Sequence, residues 1–189
     1  MKRSKFVTAA VAAAAIAATG SQARATFIVT MTQVGSDVIA NGSGTIDLTG
    51  LTFFHNSVDY PTFNPLLGYA NFGPSAADTM YVGVLSSPDL GFLTGGNITF
   101  GSGNFVGAET IGYIRVPQGY VSGAALSNTD TFAGQTLSSM IDPGTYTWTW
   151  GSGEHADSFI LEAGVPEPTS LCLLGLGAIG LLARRRRTA

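Results

Sequence analysis

Hydrophobic and polar residues alternate after residue 25, as they do in β-strands that bury one face. Phe27, Val29 and Met31 fall on one face of the first predicted strand. A turn at residues 35–37 then leads into a returning run at residues 38–40, which predicts a β-hairpin. The same pattern predicts further strands at residues 79–85, 111–116 and 158–162.

The clearest alternation lies in residues 144–150, GTYTWTW. Tyr146, Trp148 and Trp150 share one face of this predicted strand and threonines occupy the other. Such an aromatic row is either the buried side of a core strand or, if exposed, a platform on which sugars stack. Both interpretations stay open from the sequence.

Short strands separated by glycine turns, without a sustained 3.6-residue period, predict an all-β fold. We expect an antiparallel β-sandwich or jelly-roll-like domain at residues 26–163. Residues 91–109 are so rich in glycine that we expect irregular strands and long loops there.

The chain begins with the pattern of a secretory signal peptide. Three basic residues within the first five precede an apolar run at residues 6–18. Ala23 and Ala25 are the small residues of a cleavage site before Thr26. The alternative is an uncleaved membrane helix, but the run is shorter than the roughly 20 residues that a span requires. Residues 1–25 are therefore expected to form a signal helix that is removed.

Charge is distributed very unevenly. Between residues 26 and 165, Arg115 is the only base against eleven acids, a formal charge of −10. This surface would repel phosphate backbones, so nucleic-acid binding is disfavoured. The single cysteine, Cys172, permits no intramolecular disulfide, and the fold must depend on core packing.

The C-terminus has three consecutive parts. Pro166, Glu167 and Pro168 form an extended spacer, because two prolines remove backbone donors and disfavour a helix. The apolar run at residues 169–183 would reach about 22 Å as a helix, short of the roughly 30 Å hydrocarbon core. The positive-inside rule would keep the basic block that follows in the cytoplasm: Arg184, Arg185, Arg186 and Arg187.

Residues 164–189 resemble a PEP-CTERM sorting signal, found on exported proteins of Gram-negative bacteria that make extracellular polysaccharide. The resemblance implies that an exosortase recognises Pro166, Glu167 and Pro168 and processes the tail. It also implies that residues 169–183 are a short transmembrane helix and that the arginines at 184–187 are stop-transfer charges. The protein would be anchored in the inner membrane by this helix and then delivered to the cell surface or released. A plain single-span anchor is the alternative.

The central region shows no assembled catalytic set. It has two histidines, no lysine and no G-x-S-x-G motif, so we expect no catalytic residue and no cofactor. Glu154, His155 and Asp157 form the densest titratable cluster, either a small metal site or, as we expect, a solvated turn. No calcium-loop motif occurs, and we predict no metal site.

These observations lead to two functional hypotheses. The first is a non-enzymatic surface or matrix protein with a structural or adhesive role in an exopolysaccharide or biofilm layer. The second is a carbohydrate-binding module or a polysaccharide-active enzyme that uses the Trp face and a carboxylate pair. The expected partners are the exosortase, the membrane before processing, and extracellular polysaccharide.

Overall fold

The computed structural model describes residues 26–164, which form two six-stranded β-sheets. The order across sheet A is β11 (Gly144–Trp150), β12 (Asp157–Ala163), β1 (Thr26–Val34), β2 (Asp37–Gly44), β10 (Leu126–Phe132) and β7 (Phe100–Gly103). The order across sheet B is β3 (Thr52–Asp59), β6 (Ala76–Val82), β9 (Tyr113–Pro117), β8 (Val106–Glu109), β5 (Tyr69–Phe72) and β4 (Thr62–Asn64). The described helices are short: α1 (Leu137–Met140) and 3-10 turns at Pro65–Leu67 and Gly153–His155.

The predicted all-β, sandwich-like class is confirmed by these two sheets. The expectation of a wholly antiparallel arrangement is wrong at one place. β1 pairs with β12 in parallel, from Thr26 opposite Ser158 to Met31 opposite Ala163. On its other side β1 forms the predicted antiparallel hairpin with β2. The predicted signal helix and membrane helix lie outside the described residues.

The core lies between the sheets and follows the alternation of the strands. Phe27, Val29 and Met31 of β1 are fully buried, as the pattern predicts. From sheet B, Ile114 and Val116 of β9 join the same core. The intervening Arg115 therefore lies on the opposite face of sheet B.

Sheet B is strongly curled. Its edge strands β3 and β4 are separated by only two residues in the chain, Tyr60 and Pro61. Across a flat six-stranded sheet the two edges would lie about 24 Å apart. Three Cα steps from Asp59 to Thr62 reach at most about 11 Å. The edges must therefore approach each other at this end, and the ion pair between Asp59 and Arg115 shows that they do so over the Arg115 face.

The turn after β11 contains two glycines in the same left-handed conformation. Gly151 has φ +67° and Gly153 has φ +62°. A Cβ at Gly151 would lie 2.0 Å from the carbonyl oxygen of His155, whereas a Cβ at Gly153 would meet nothing within 4 Å. Both positions therefore require a left-handed backbone, but only Gly153 has space for a side chain.

We predict that Gly151→Ala destabilises the protein much more than Gly153→Ala. Both substitutions add the roughly 1–2 kcal/mol cost of a left-handed Cβ. Only Gly151→Ala adds a backbone clash, which brings a further cost of about 1–3 kcal/mol. Chemical denaturation of the two variants measures the difference, and equal losses would contradict the steric argument.

Candidate functional site

The residues of the predicted signals at both ends lie outside the described residues. These are Ala23, Ala25, Pro166, Glu167, Pro168, Arg184, Arg185, Arg186 and Arg187. The structure does describe the residues that adjoin them. β1 begins at Thr26, and Gly164 follows β12 with its N–H donated to the Met31 carbonyl at 3.0 Å. Because β1 and β12 are parallel, Thr26 and Gly164 lie at opposite ends of sheet A.

The aromatic row of β11 belongs to the core. Trp148 and Trp150 are 0% and 1% exposed, and the Trp148 ring packs edge-on against Phe159. The Trp150 indole N–H donates to the Asp47 carbonyl at 2.7 Å. Tyr146 is half-buried against the core. Because the two indole faces are covered by protein, Trp148 and Trp150 offer no surface on which a sugar could stack, and the core interpretation of the row holds for these two residues.

The cluster Glu154, His155 and Asp157 divides into two environments. Glu154 and His155 are exposed, as a solvated turn requires, and His155 Nδ1 lies 2.9 Å from Asp47 Oδ2. Asp157 is buried and accepts the backbone N–H groups of Asp47 and Ser158 at 2.6 and 2.5 Å. Burial raises the pKa of Asp157 to about 6. Within residues 26–164, no three His, Cys, Asp or Glu side chains are grouped to hold a metal.

A second buried carboxylate connects the two sheets. Asp130, on the core face of β10, is fully buried. Both of its carboxylate oxygens accept the Gly73 N–H, at 3.0 and 2.9 Å, just after β5 ends. Burial raises the pKa of Asp130 from 3.8 to about 6, although the Gly73 hydrogen bond opposes the rise.

The densest charge cluster surrounds Arg115, the only base between residues 26 and 165. Its Nε donates to Glu109 Oε1 at 2.6 Å, and its Nη1 lies 3.0 Å from Asp78 and 2.5 Å from Asp59. Asp78 and Glu109 are 0% and 2% exposed. Burial lowers the pKa of Arg115, but the hydrogen bond and charge of Glu109, with Asp59 and Asp78, raise it above its ordinary value. The guanidinium stays charged and is surrounded by three carboxylates.

A pocket of about 280 Å³ opens beside this cluster on the curled face of sheet B. Asn71 on its wall is 3% exposed, and its Oδ1 is buried without a hydrogen-bond partner among the described residues. Asn71 faces Gly107 across the β5–β8 pair, and the missing side chain of Gly107 makes room for the amide. The lining residues are Asp59, Thr62, Tyr69, Asn71, Glu109 and Arg115.

Arg115 stands out in the sequence as a lone base, but its three partners do not. Asp59, Asp78 and Glu109 come from three different strands, and no local spacing connects them. The only available signal was the charge imbalance itself, since one buried base in so acidic a region has to be paired.

Comparison with known proteins identifies the C-terminal segment. Residues 164–187 match the family model of the PEP-CTERM protein-sorting motif. The chain carries a PEP-CTERM sorting motif. The predicted resemblance is confirmed, and the motif indicates an exported protein that is targeted to an exosortase. The match begins at Gly164, the residue at which the described sheet ends.

The comparisons add nothing on the β-sheet region. No curated protein and no solved structure matches the chain. Across the part of the PEP-CTERM protein that the structure describes, no helix has the length and hydrophobicity to cross a membrane.

We predict that Arg115→Met lowers the free energy of unfolding by about 3–5 kcal/mol, because buried carboxylates lose their counter-charge. Arg115→Lys, which keeps the charge but loses the planar fork, is expected to cost less. Adding Asp78→Asn and Glu109→Gln to Arg115→Met should recover part of the loss. Urea denaturation measures all three, and wild-type stability of Arg115→Met would contradict a structural role for the ion pairs.

The raised pKa of Asp130 predicts a pH dependence of stability. The folded protein holds the proton up to about pH 6, whereas the unfolded chain releases it near pH 4. The contribution of Asp130 to the stability of the fold is therefore greatest below about pH 4 and is lost as the pH rises through 6. Asp130→Asn keeps an acceptor for Gly73 and removes the charge.

We expect Asp130→Asn to raise the free energy of unfolding by about 1–3 kcal/mol at pH 7.5 and to change it little at pH 4.5. Urea denaturation at both values measures the effect. Asp142→Asn, at an exposed position, is the matched control and should change neither value. A similar gain at both values of pH would contradict the linkage.

Proposed function

We propose that this chain is a non-enzymatic surface or matrix protein, with a structural or adhesive role in an extracellular polysaccharide layer. An exosortase processes its C-terminal tail. The observation that carries the proposal is the position of the sorting motif, which starts at Gly164, directly after the last strand.

This position makes the tail separable from the β-sheet region. β12 is complete at Ala163, and the Gly164 N–H is already bonded to β1. Every residue of the Pro166-Glu167-Pro168 motif follows that bond. Cleavage within or after the motif therefore removes no strand and no described backbone hydrogen bond.

The membrane step follows from the same segment. Residues 169–183 hold the chain at the inner membrane and Arg184, Arg185, Arg186 and Arg187 stay on the cytoplasmic side. The acidic β-sheet region, which would repel nucleic acid, then lies outside the inner membrane. Release or surface attachment follows when the exosortase acts.

The buried carboxylates support a structural rather than a catalytic role. Asp78 and Glu109 are paired with Arg115, Asp130 accepts the Gly73 N–H, and Asp157 accepts two backbone N–H groups. Each is committed to holding the fold. The His155 ring is paired with Asp47 at the surface, and among residues 26–164 no serine hydroxyl is hydrogen-bonded to that ring.

We predict that Pro166→Ala combined with Glu167→Ala blocks processing in the natural host. The double variant should keep its C-terminal peptide and accumulate in the inner membrane. Intact-mass spectrometry of the fractionated protein measures the mass of the tail. Glu154→Ala, an exposed glutamate outside the motif, should be processed as the wild type is.

Loss of the tail from the double variant at the wild-type rate would show that the motif does not direct processing. Retention of the arginine peptide in the mature wild-type protein would favour the plain single-span anchor.

A further inference from the structure

β3 is a sheet edge whose outer side is left open by the rest of the described chain. Outside its pairing with β6, no backbone group of residues 52–58 is hydrogen-bonded within residues 26–164. The curl of sheet B brings β4 close to the Asp59 end, so the free edge is the stretch from Thr52 to Ser57. An uncovered edge is a template for pairing with another strand.

The other three edges are shortened or covered. Thr149 of β11 exchanges backbone hydrogen bonds with residues 85–86, and Phe63 of β4 accepts the Gly96 N–H. β4 and β7 are only three and four residues long. β3 has eight residues and contains no proline, lysine or arginine, although a bulge interrupts its register at Phe54. Three edges are therefore protected against pairing, and the fourth is open.

The bulge gives this edge apolar side chains on both faces of sheet B. Phe53 lies opposite Tyr81, packs edge-on against its ring and is 57% exposed. On the other face, the Phe54 ring stacks on Tyr113 with centroids 5.7 Å apart and is 52% exposed. Ile111, in the turn that leads into Tyr113, is 67% exposed. We call Phe53, Phe54, Ile111 and Tyr113, with the free edge of β3, the β3 edge patch.

The β3 edge patch carries no formal charge, in contrast with the rest of the region. Residues 51–58, 79–88 and 110–114 contain no Asp, Glu, Lys or Arg. The eleven acids and the one base between residues 26 and 165 all lie outside these segments. Two copies of so acidic a region repel each other, and the repulsion is weakest where their uncharged patches meet.

The area of the patch is suited to a second copy. Phe53, Phe54 and Ile111 together expose about 300 Å² in each copy. This is the size of the largest apolar patch on a typical monomer, roughly 300–600 Å², and such patches mark interaction sites. Burying two patches together with the strand edges between them approaches the roughly 1,000 Å² that a specific interface needs.

We propose that two copies of this chain dimerise through the β3 edge patch. The two β3 strands lie antiparallel and side by side about a twofold axis, so each patch meets its own equivalent. The axis passes close to Phe54 in both copies. The contact needs neither the sorting motif nor a polysaccharide. The inference therefore goes beyond the proposed function, and each can fail without the other.

The test is sedimentation velocity of the full chain in a density-matched detergent, over about a hundredfold range of protein concentration. We expect a reversible dimer. Phe54→Glu places two carboxylates at the axis and should raise the dimer Kd at least about tenfold. Phe100→Glu is the matched control, because Phe100 is also a phenylalanine on an edge strand, β7, and is 65% exposed. It should leave the Kd within about twofold.

Mixing two variants distinguishes a second copy from any other occupant of the patch. Phe54→Lys, like Phe54→Glu, should be monomeric alone, because equal charges meet at the axis. An equimolar mixture of the two variants should dimerise again, since opposite charges then meet there.

If Phe54→Glu does not fold, as judged by circular dichroism, Ile111→Glu in the exposed turn replaces it, with the same expected rise in Kd. The proposal is overturned if the wild-type chain stays monomeric, or if its dimer survives the patch variant, as a contact through the tail would. A mixture that stays monomeric, or an equal rise in Kd for Phe100→Glu, would also overturn it.

Discussion

The parallel pairing of β1 with β12 is the constraint on which the rest of the structure depends. It places the first and last described strands side by side in the interior of sheet A, so the sheet is incomplete until residues 157–163 are in place. β1 contributes Phe27, Val29 and Met31 to the core, and β12 contributes Phe159 and Leu161 beside them. The same pairing explains why the tail can be separate: Gly164 is the last described residue bonded to β1, and the matched sorting motif begins at that residue.

Sheet B depends on a different interaction. Its curl brings Asp59 from one edge to Arg115 in the middle, and Asp78 and Glu109 reach the same guanidinium from the strands on either side. Between residues 26 and 165 this is the one base available to neutralise a buried cluster, and a polar pocket lies beside it. The charge asymmetry seen in the sequence therefore has a structural counterpart, in which the single base of this region is buried among three of its acids.

The strands that could be predicted from the sequence are those whose buried faces are apolar. β1, β11 and β12 alternate clearly because the core covers one face of each. β10 could not be predicted because its buried positions include Asn128 and Asp130, polar residues that are typical of solvent-facing positions. In the structure Asn128 fits over Gly42, which has no side chain, and Asp130 accepts the Gly73 N–H. β3 could not be predicted either, because it is an edge strand with no buried residue and therefore has no hydrophobic periodicity.

The aromatic row of β11 could be recognised in the sequence, but only the structure could decide which of its two interpretations holds. The Arg115 pocket was out of reach because its residues come from separate strands, whereas the tail motif is contiguous and could be recognised directly.

The central claim is that the β-sheet region closes at Gly164 and needs β12 but not the tail. It is tested most directly by urea denaturation of two chains that begin at Thr26, one ending at Gly164 and one ending at Ala156. The account predicts that the first unfolds cooperatively at the same midpoint as the chain with its tail. It predicts that the second does not fold, because sheet A loses an interior strand. Cooperative unfolding of the chain that ends at Ala156, or loss of structure in the one that ends at Gly164, would contradict it.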